Sequence, residues 1–93
     1  MPPPSEKKRA EFTIGNELGL HFRAAALVVR ALEEFSSNVT ISTEETTADA
    51  RSILDLMTLA AARGTPIVVE AEGEDADAAL AALGRLIAEN FGE

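Results

Sequence analysis

Alternating apolar and polar residues mark four short stretches of this 93-residue chain, and apolar residues at helical spacing mark three others. A period of two indicates a half-buried strand, whereas apolar residues three or four positions apart indicate an amphipathic helix. The pattern predicts strands at residues 10–14, 39–43, 46–49 and 67–71. It predicts helices at residues 24–35, from residue 52 to near residue 64, and from residue 76 onward. The predicted order is therefore βαββαβα.

Four short strands and three helices in this order favour a two-layer α+β fold. The natural arrangement is an open-faced β-sandwich, in which a four-stranded antiparallel sheet carries all three helices on one face. The chain is long enough for one such domain and too short for two, so we assign residues 10–93 to it. Residues 1–9 are rich in prolines and charges, a composition that cannot bury surface, and we expect them to form a flexible tail.

Charge and composition narrow the classes of partner. The net charge of −8 argues against nucleic acid and anionic membranes, because both require a basic surface. No apolar run approaches the roughly 20 residues that a membrane-spanning helix needs, and the N-terminus lacks the pattern of a secretory signal. The absence of cysteine excludes disulfides and thiolate chemistry and is compatible with a reducing compartment. We therefore expect a cytoplasmic monomer whose partners are proteins or small molecules.

Two helix starts carry capping signals. Ser52, followed three residues later by Asp55, resembles a capping box at the start of the second helix. Glu74 or Asp75 is the predicted N-cap of the last helix.

Candidate chemistry is concentrated at the single histidine, His21, which lies between a glycine turn and the predicted start of the first helix, two residues before Arg23. Neutral imidazole is nucleophilic near pH 7, a guanidinium pairs with phosphate oxygens in a fork, and N–H groups at a helix start favour anions. A solitary histidine is also compatible with a surface or packing role, and the residues alone leave both open. We expect no metal, because no second histidine and no cysteine can complete a site, and no cofactor, because no glycine-rich nucleotide loop is present.

The run Gly19-Leu20-His21-Phe22-Arg23-Ala24-Ala25 resembles the Gly-Leu-His-x-Arg-Pro-Ala phosphorylation signature of HPr. HPr is the histidine-containing phosphocarrier of the bacterial phosphoenolpyruvate-dependent sugar phosphotransferase system. Residues 50–54 resemble the regulatory serine segment of this family, and segments between residues 64 and 76 resemble its last strand and helix cap. The resemblance extends over about residues 10–91.

The resemblance implies a role for three residues. His21 would accept a phosphoryl group from the phosphorylated histidine of enzyme I and pass it to a sugar-specific enzyme IIA, while Arg23 would bind the phosphoryl oxygens. The protein would then be a relay rather than a catalyst that turns over. Ser52 matches the serine that an HPr kinase modifies in some bacteria, although an N-cap role alone also explains a serine at this position.

The resemblance also implies an apolar patch that contacts partners around the histidine. Consecutive apolar positions cannot all face one side of a helix, so at least one residue of the second helix should be exposed beside the His21 loop. The residues that match the patch are Phe22, Ala26, Ile53, Leu54 and Met57.

Three departures from the family pattern stand out, and one of them is the tail of residues 1–9, which is longer than the usual start of the family. Ala24 replaces the proline of the motif, and Glu33 and Asp55 stand where many HPr proteins carry basic residues. A second hypothesis is therefore a regulatory module that acts by docking, controlled by the phosphorylation state of His21 or Ser52. A third is a small-ligand-binding α+β domain without phosphate chemistry.

Overall fold

The computed structural model describes residues 7–93, and within this range it contains four strands and three α-helices in the predicted order. The strands form one antiparallel sheet in the order β1-β4-β2-β3, which confirms the α+β open-faced β-sandwich. The elements are β1 (Lys7–Thr13), α1 (Phe22–Leu32), β2 (Asn38–Ser42), β3 (Thr47–Asp49), α2 (Ile53–Thr58), β4 (Pro66–Glu72) and α3 (Ala76–Ala88), followed by a 3₁₀ turn at Asn90–Gly92. No helix in this range is both long and apolar enough to cross a membrane.

The core lies between the sheet and the helices. Alternate residues of the central strands β2 and β4 are buried, while their neighbours in sequence are more exposed, as expected for a sheet that is covered on one face. Helix α3 packs on β1 and β4, and α1 packs beside α2 and α3. The strands contribute Val39, Ile41, Ile67 and Val69 to the core, and the helices contribute Val28, Leu32, Leu56 and Leu83.

Strand β1 begins at Lys7, three residues earlier than predicted, so the assignment of residues 7–9 to a flexible tail is wrong. These residues pair with β4 in antiparallel register, Lys7 opposite Glu72 and Arg9 opposite Glu70. Lys7 Nζ also lies 3.8 Å from Glu70 Oε2. The charges that suggested a solvated tail are therefore cross-strand partners, which favour pairing. The rest of the predicted tail, residues 1–6, lies outside the described residues.

Helix α1 is displaced relative to the predicted range of 24–35. It begins at Phe22, with His21 as N-cap, and ends at Leu32. Its end is determined by a residue of another segment: the Arg51 guanidinium donates to the carbonyls of Leu32 at 2.9 Å and of Phe35 at 2.7 Å. A cation that satisfies carbonyls beyond the last turn stabilises a helix terminus, so the chain leaves the helix before Phe35.

Helix α2 is shorter than predicted and ends at Thr58 instead of near Gly64. The prediction of its start is confirmed, since Ser52 Oγ accepts a hydrogen bond from the Asp55 N–H at 3.2 Å. Just past its end, Ala60 has a positive φ of 50°, which stops the helix. The following segment makes contacts with the N-terminal half of the chain, including Leu20 N–H to Ala61 O at 2.9 Å.

Asp75 occupies the N-cap position of α3 but makes no capping hydrogen bond with its side chain. Its carboxylate instead accepts hydrogen bonds from the backbone N–H groups of Ser36 and Ser37, at 2.8 and 2.9 Å, and from the Ser37 hydroxyl. The predicted cap is therefore a link between the start of α3 and the loop that joins α1 to β2.

Candidate functional site

Hydrogen bonds between residues 16 and 21 fix the conformation of the loop that precedes α1. The Gly19 N–H donates to Asn16 O at 3.1 Å, and the His21 N–H donates to Gly19 O at 2.9 Å. The buried Asn16 side chain adds a 2.7 Å hydrogen bond from Nδ2 to Gly19 O. The chain then enters α1, whose first intrahelical bond runs from the Ala25 N–H to His21 O. The N–H groups that precede it in this turn, those of Phe22, Arg23 and Ala24, have no acceptor within the helix, so they are available to an anion.

Gly19 is required at this point for two independent reasons. Its φ of +66° lies in the left-handed region, which residues other than glycine rarely adopt. A Cβ at this position would lie 2.4 Å from Ala61 O and 2.9 Å from the Cα of Ala62. The glycine of the motif therefore lets the His21 loop lie directly against the segment that follows α2.

His21 is paired with a residue at the other end of the chain. Its Nε2 lies 2.5 Å from Oε2 of Glu93, and Asn16 Nδ2 donates to the same carboxylate oxygen at 3.2 Å. The imidazole is 23% exposed and the Glu93 side chain 18% exposed, so both side chains are only partly shielded from water.

The ionisation state of Glu93 determines the tautomer of the histidine. The hydrogen bond from His21, aided by Asn16 and by the positive charge of Arg23, holds the pKa of the Glu93 carboxyl below its usual range, although burial acts in the opposite direction. At neutral pH the carboxylate is ionised and can only accept, so Nε2 carries the proton. In the neutral ring the lone pair is then on Nδ1, which is the nucleophilic nitrogen.

Arg23 lies on the first turn of α1, and most of its side chain is in solvent. Its side chain is 69% exposed, and Nη2 is 3.9 Å from Glu93 Oε2, a distance for a weak ion pair rather than a fixed hydrogen bond. The guanidinium is thus close to His21 without being committed to a buried partner.

The predicted apolar patch is partly exposed. Phe22 of α1 is 63% exposed. Leu54 and Met57 of α2 are 79% and 40% exposed, which confirms that at least one apolar residue of the second helix faces solvent. Ala26 and Ile53 are half-buried. Leu18, the residue before Gly19, is 67% exposed and was not among the residues predicted for the patch. Large apolar side chains exposed on neighbouring elements are typical of a surface that docks proteins.

Ser52 is half-buried at the N-cap of α2, where its hydroxyl accepts from the Asp55 N–H. Two aspartates lie near it in the chain: Asp55 Oδ2 accepts from the Asp49 N–H at 3.2 Å, and Asp49 Oδ1 accepts from the Arg51 N–H at 2.9 Å. In the structure, Ser52 is therefore the N-cap of α2, and this role does not require the serine to be modified.

The sequence patterns missed two residues of the site, Asn16 and Glu93. Asn16 carries no signal beyond that of a residue type common in turns, and nothing in the sequence distinguishes Glu93 from the other 15 acidic residues of the chain. In the described part of the chain, no group of three or more His, Cys, Asp and Glu side chains is arranged to hold a metal ion. A groove of about 560 Å³ lies elsewhere, between the β2–β3 turn and the end of α2, and is lined by residues such as Thr43, Thr58 and Pro66.

Comparison with known proteins identifies the family. Residues 8–89 match the family model described as the PTS HPr component phosphorylation site. The phosphocarrier protein HPr of Xylella fastidiosa is 45% identical over 83 residues, which cover 89% of this chain and 93% of that protein. The multiphosphoryl transfer protein of Salmonella typhimurium is 37% identical over 90% of this chain, which spans only 23% of that protein.

Solved structures agree with this result. The crystal structure of HPr-C-His from Thermoanaerobacter tengcongensis superposes with a TM-score of 0.88 at 37% identity, covering 92% of this chain and 97% of that one. The relatives favour a phosphocarrier over a regulatory docking module. The chain belongs to the HPr family of phosphocarrier proteins, which act in the phosphoryl-transfer chain of the phosphotransferase system.

Proposed function

We propose that His21 is the phosphoacceptor of this chain and that it reacts through Nδ1. The observation that carries the proposal is the pairing of Nε2 with the ionised Glu93 carboxylate at the start of α1. This pairing commits one ring nitrogen to a proton and leaves the other with its lone pair. The free N–H groups of the first turn add an environment in which a phosphoryl group is favoured.

Arg23 binds the phosphoryl oxygens in this proposal. Its exposed guanidinium lies within 3.9 Å of the carboxylate that holds His21, so a small movement brings it to a phosphoryl group on the ring. Two parallel N–H bonds to phosphoryl oxygens are stronger than the loose pair with Glu93, which favours this exchange.

The donor in this proposal is phosphorylated enzyme I, and the recipient is an enzyme IIA, both in the cytoplasm. These proteins dock on the apolar patch. Exposed Phe22, Leu54 and Met57 supply most of its contact surface, and half-buried Ala26 and Ile53 supply the rest. We propose that the protein works as a monomer, so that this surface is available to each partner in turn.

The assignment of His21 is tested by incubating the protein with phosphoenolpyruvate and the enzyme I of its own source. We expect one phosphoryl group per chain, labile in acid and stable in alkali, on the wild type and none on the His21→Ala variant. Arg23→Ala should still be labelled, but more slowly, because it removes the oxygen-binding group and leaves the nucleophile. Equal labelling of His21→Ala would show that the acceptor is another residue.

We propose Ser52 as a regulatory site only for a source that encodes an HPr kinase. A phosphate on Ser52 would gain from the N-terminus of α2 but would meet the carboxylate of Asp55, three residues later, and that of Asp49. Incubation with ATP and the HPr kinase of the source should label the wild type. The Ser52→Thr variant, which keeps a hydroxyl, should also accept phosphate, whereas Ser52→Ala should not. Absence of label on the wild type would leave Ser52 with the capping role alone.

A further inference from the structure

Helix α2 carries one charged residue, and it lies among the exposed apolar side chains of the patch. Of the six residues Ile53–Thr58, Leu56 is fully buried and packs the helix against the core. Leu54 and Met57 are exposed, and Asp55, which lies between them in the sequence, is exposed as well. A protein that covers both apolar side chains therefore also meets the carboxylate of Asp55.

The Asp55 carboxylate is held in place but is not neutralised. Its Oδ2 accepts a hydrogen bond from the Asp49 N–H at 3.2 Å, which ties the side chain to the end of β3. In the part of the chain that the structure describes, no donor contacts Oδ1 and no cation forms an ion pair with Asp55. Arg51, four positions earlier, donates instead to carbonyls beyond the end of α1. The carboxylate thus presents an uncompensated negative charge in a defined position.

Other charges beside the patch do not offset that of Asp55. Glu17, in the loop before α1, and Asp49, at the end of β3, are exposed and acidic too. Within residues 17–26 and 49–58, which carry the patch, the exposed cation is Arg23, and the proposed function assigns it to the phosphoryl oxygens. The α2 side of the patch is therefore an apolar surface with an acidic edge.

We propose that Asp55 is a specificity determinant, which selects an enzyme I whose docking surface places a lysine or arginine side chain opposite this carboxylate. The proposal rests on the proposed function, in which His21 takes its phosphoryl group from enzyme I. Covering an ionised carboxylate with a neutral surface costs free energy, because the group loses water without gaining a donor. A cation on the partner supplies that donor, and the acidic edge attracts it during the encounter.

A purely structural role for Asp55 gives a different expectation. The hydrogen bond from the Asp49 N–H joins the end of β3 to the first turn of α2, so its loss would loosen the patch without any effect of charge. Asp55→Asn separates the two roles, because an amide oxygen still accepts from the Asp49 N–H while the charge is gone. A structural role predicts that this variant behaves as the wild type does.

The test measures KM and kcat for phosphorylation of the wild type, Asp55→Asn and Asp55→Lys by phosphoenolpyruvate and the enzyme I of the same source. We expect KM to rise about two- to fivefold in Asp55→Asn, as for the loss of an exposed ion pair. In Asp55→Lys it should rise about tenfold or more, because repulsion is added. The kcat should not change, since His21 and Arg23 are intact. Salt at about 0.5 M should reduce both differences, because it screens exposed charges.

The matched control is Asp77→Lys. Like Asp55, Asp77 is an exposed aspartate in the first turn of a helix, so the reversal changes the net charge and the helix terminus in the same way but outside the patch. This variant should keep the wild-type KM. Asp55→Glu retains the charge at the patch and should lie closer to the wild type than Asp55→Asn does.

Three results would overturn the proposal. They are an unchanged or lowered KM in Asp55→Asn and Asp55→Lys, equal effects of Asp55→Lys and Asp77→Lys, and differences in KM that persist at about 0.5 M salt. Labelling of His21→Ala, or no labelling of the wild type, would show instead that the proposed function is wrong, so the two failures are distinguishable.

Discussion

Gly19 is the residue on which the geometry of the site depends most directly. Its left-handed backbone and its close approach to Ala61 O allow the His21 loop to lie against the segment after α2. At the same scale, Ala24 stands in place of the motif's proline, yet it is fully buried in the first turn of α1. Ala24 thus packs the first turn of α1 against the hydrophobic core, but unlike a proline it does not restrict φ.

A Gly19→Ala substitution should be destabilising by about 2–5 kcal/mol, the combined cost of a left-handed alanine and of an overpacked contact. The urea midpoint of unfolding measures this loss. Gly64→Ala is a suitable control, because Gly64 also has a positive φ of 89° but nothing lies within 4 Å of a Cβ there. The control should show only the smaller backbone cost. Equal losses in the two variants would mean that the contact with Ala61 is unimportant.

Among the elements, the ends of the helices depend on residues distant in sequence. Arg51 binds the carbonyls of Leu32, Phe35 and Ser37 beyond the end of α1, so the connection before α2 determines where α1 stops. At the start of α3, the Asp75 carboxylate accepts hydrogen bonds from the backbone of the loop after α1. Periodicity located these helices correctly because each has one apolar face. It misplaced the C-terminal end of α1, because Arg51, which binds the carbonyls there, lies on another segment. The start of α3 at Ala76 was predicted correctly.

The Asp75 link should make folding stability depend on pH. The hydrogen bond from the Ser37 hydroxyl, with those from the backbone of Ser36 and Ser37, lowers the pKa of Asp75, although burial opposes this. A carboxyl with a lowered folded-state pKa contributes stability above its unfolded pKa of about 4, and this contribution is lost as the pH falls through the folded-state pKa.

Asp75→Asn should therefore have a lower urea midpoint than wild type at neutral pH, and the difference should shrink as the pH is lowered below about 4. Asp77→Asn, on the exposed side of the first turn of α3, is the matched control and should show little difference at either pH. A deficit of Asp75→Asn that stays constant down to about pH 2 would show that the charge of the carboxylate is not what stabilises the link.

At the scale of the whole molecule, the order of elements and the sheet follow from local patterns, and the site follows only in part. His21 and Arg23 lie two residues apart in a recognisable motif, so the sequence was sufficient to select them as candidates. Glu93 reaches His21 across 72 positions, and no local pattern distinguishes it from the other acidic residues. The start of β1 was missed for the same reason, because its charged residues are explained only by their partners in β4.

The pairing of β1 with β4 has a consequence for the way the chain is made. The paired residues are separated by 53 positions at Thr13 and Pro66 and by 65 at Lys7 and Glu72. At synthesis rates of about 5–20 residues per second, β1 leaves the ribosome roughly 3–13 seconds before its partner exists. During that interval its backbone groups are open to other chains, and alternate charges such as Lys7, Arg9 and Glu11 discourage such pairing. The basic and acidic residues of β1 thus protect a nascent strand that must wait for the last third of the protein.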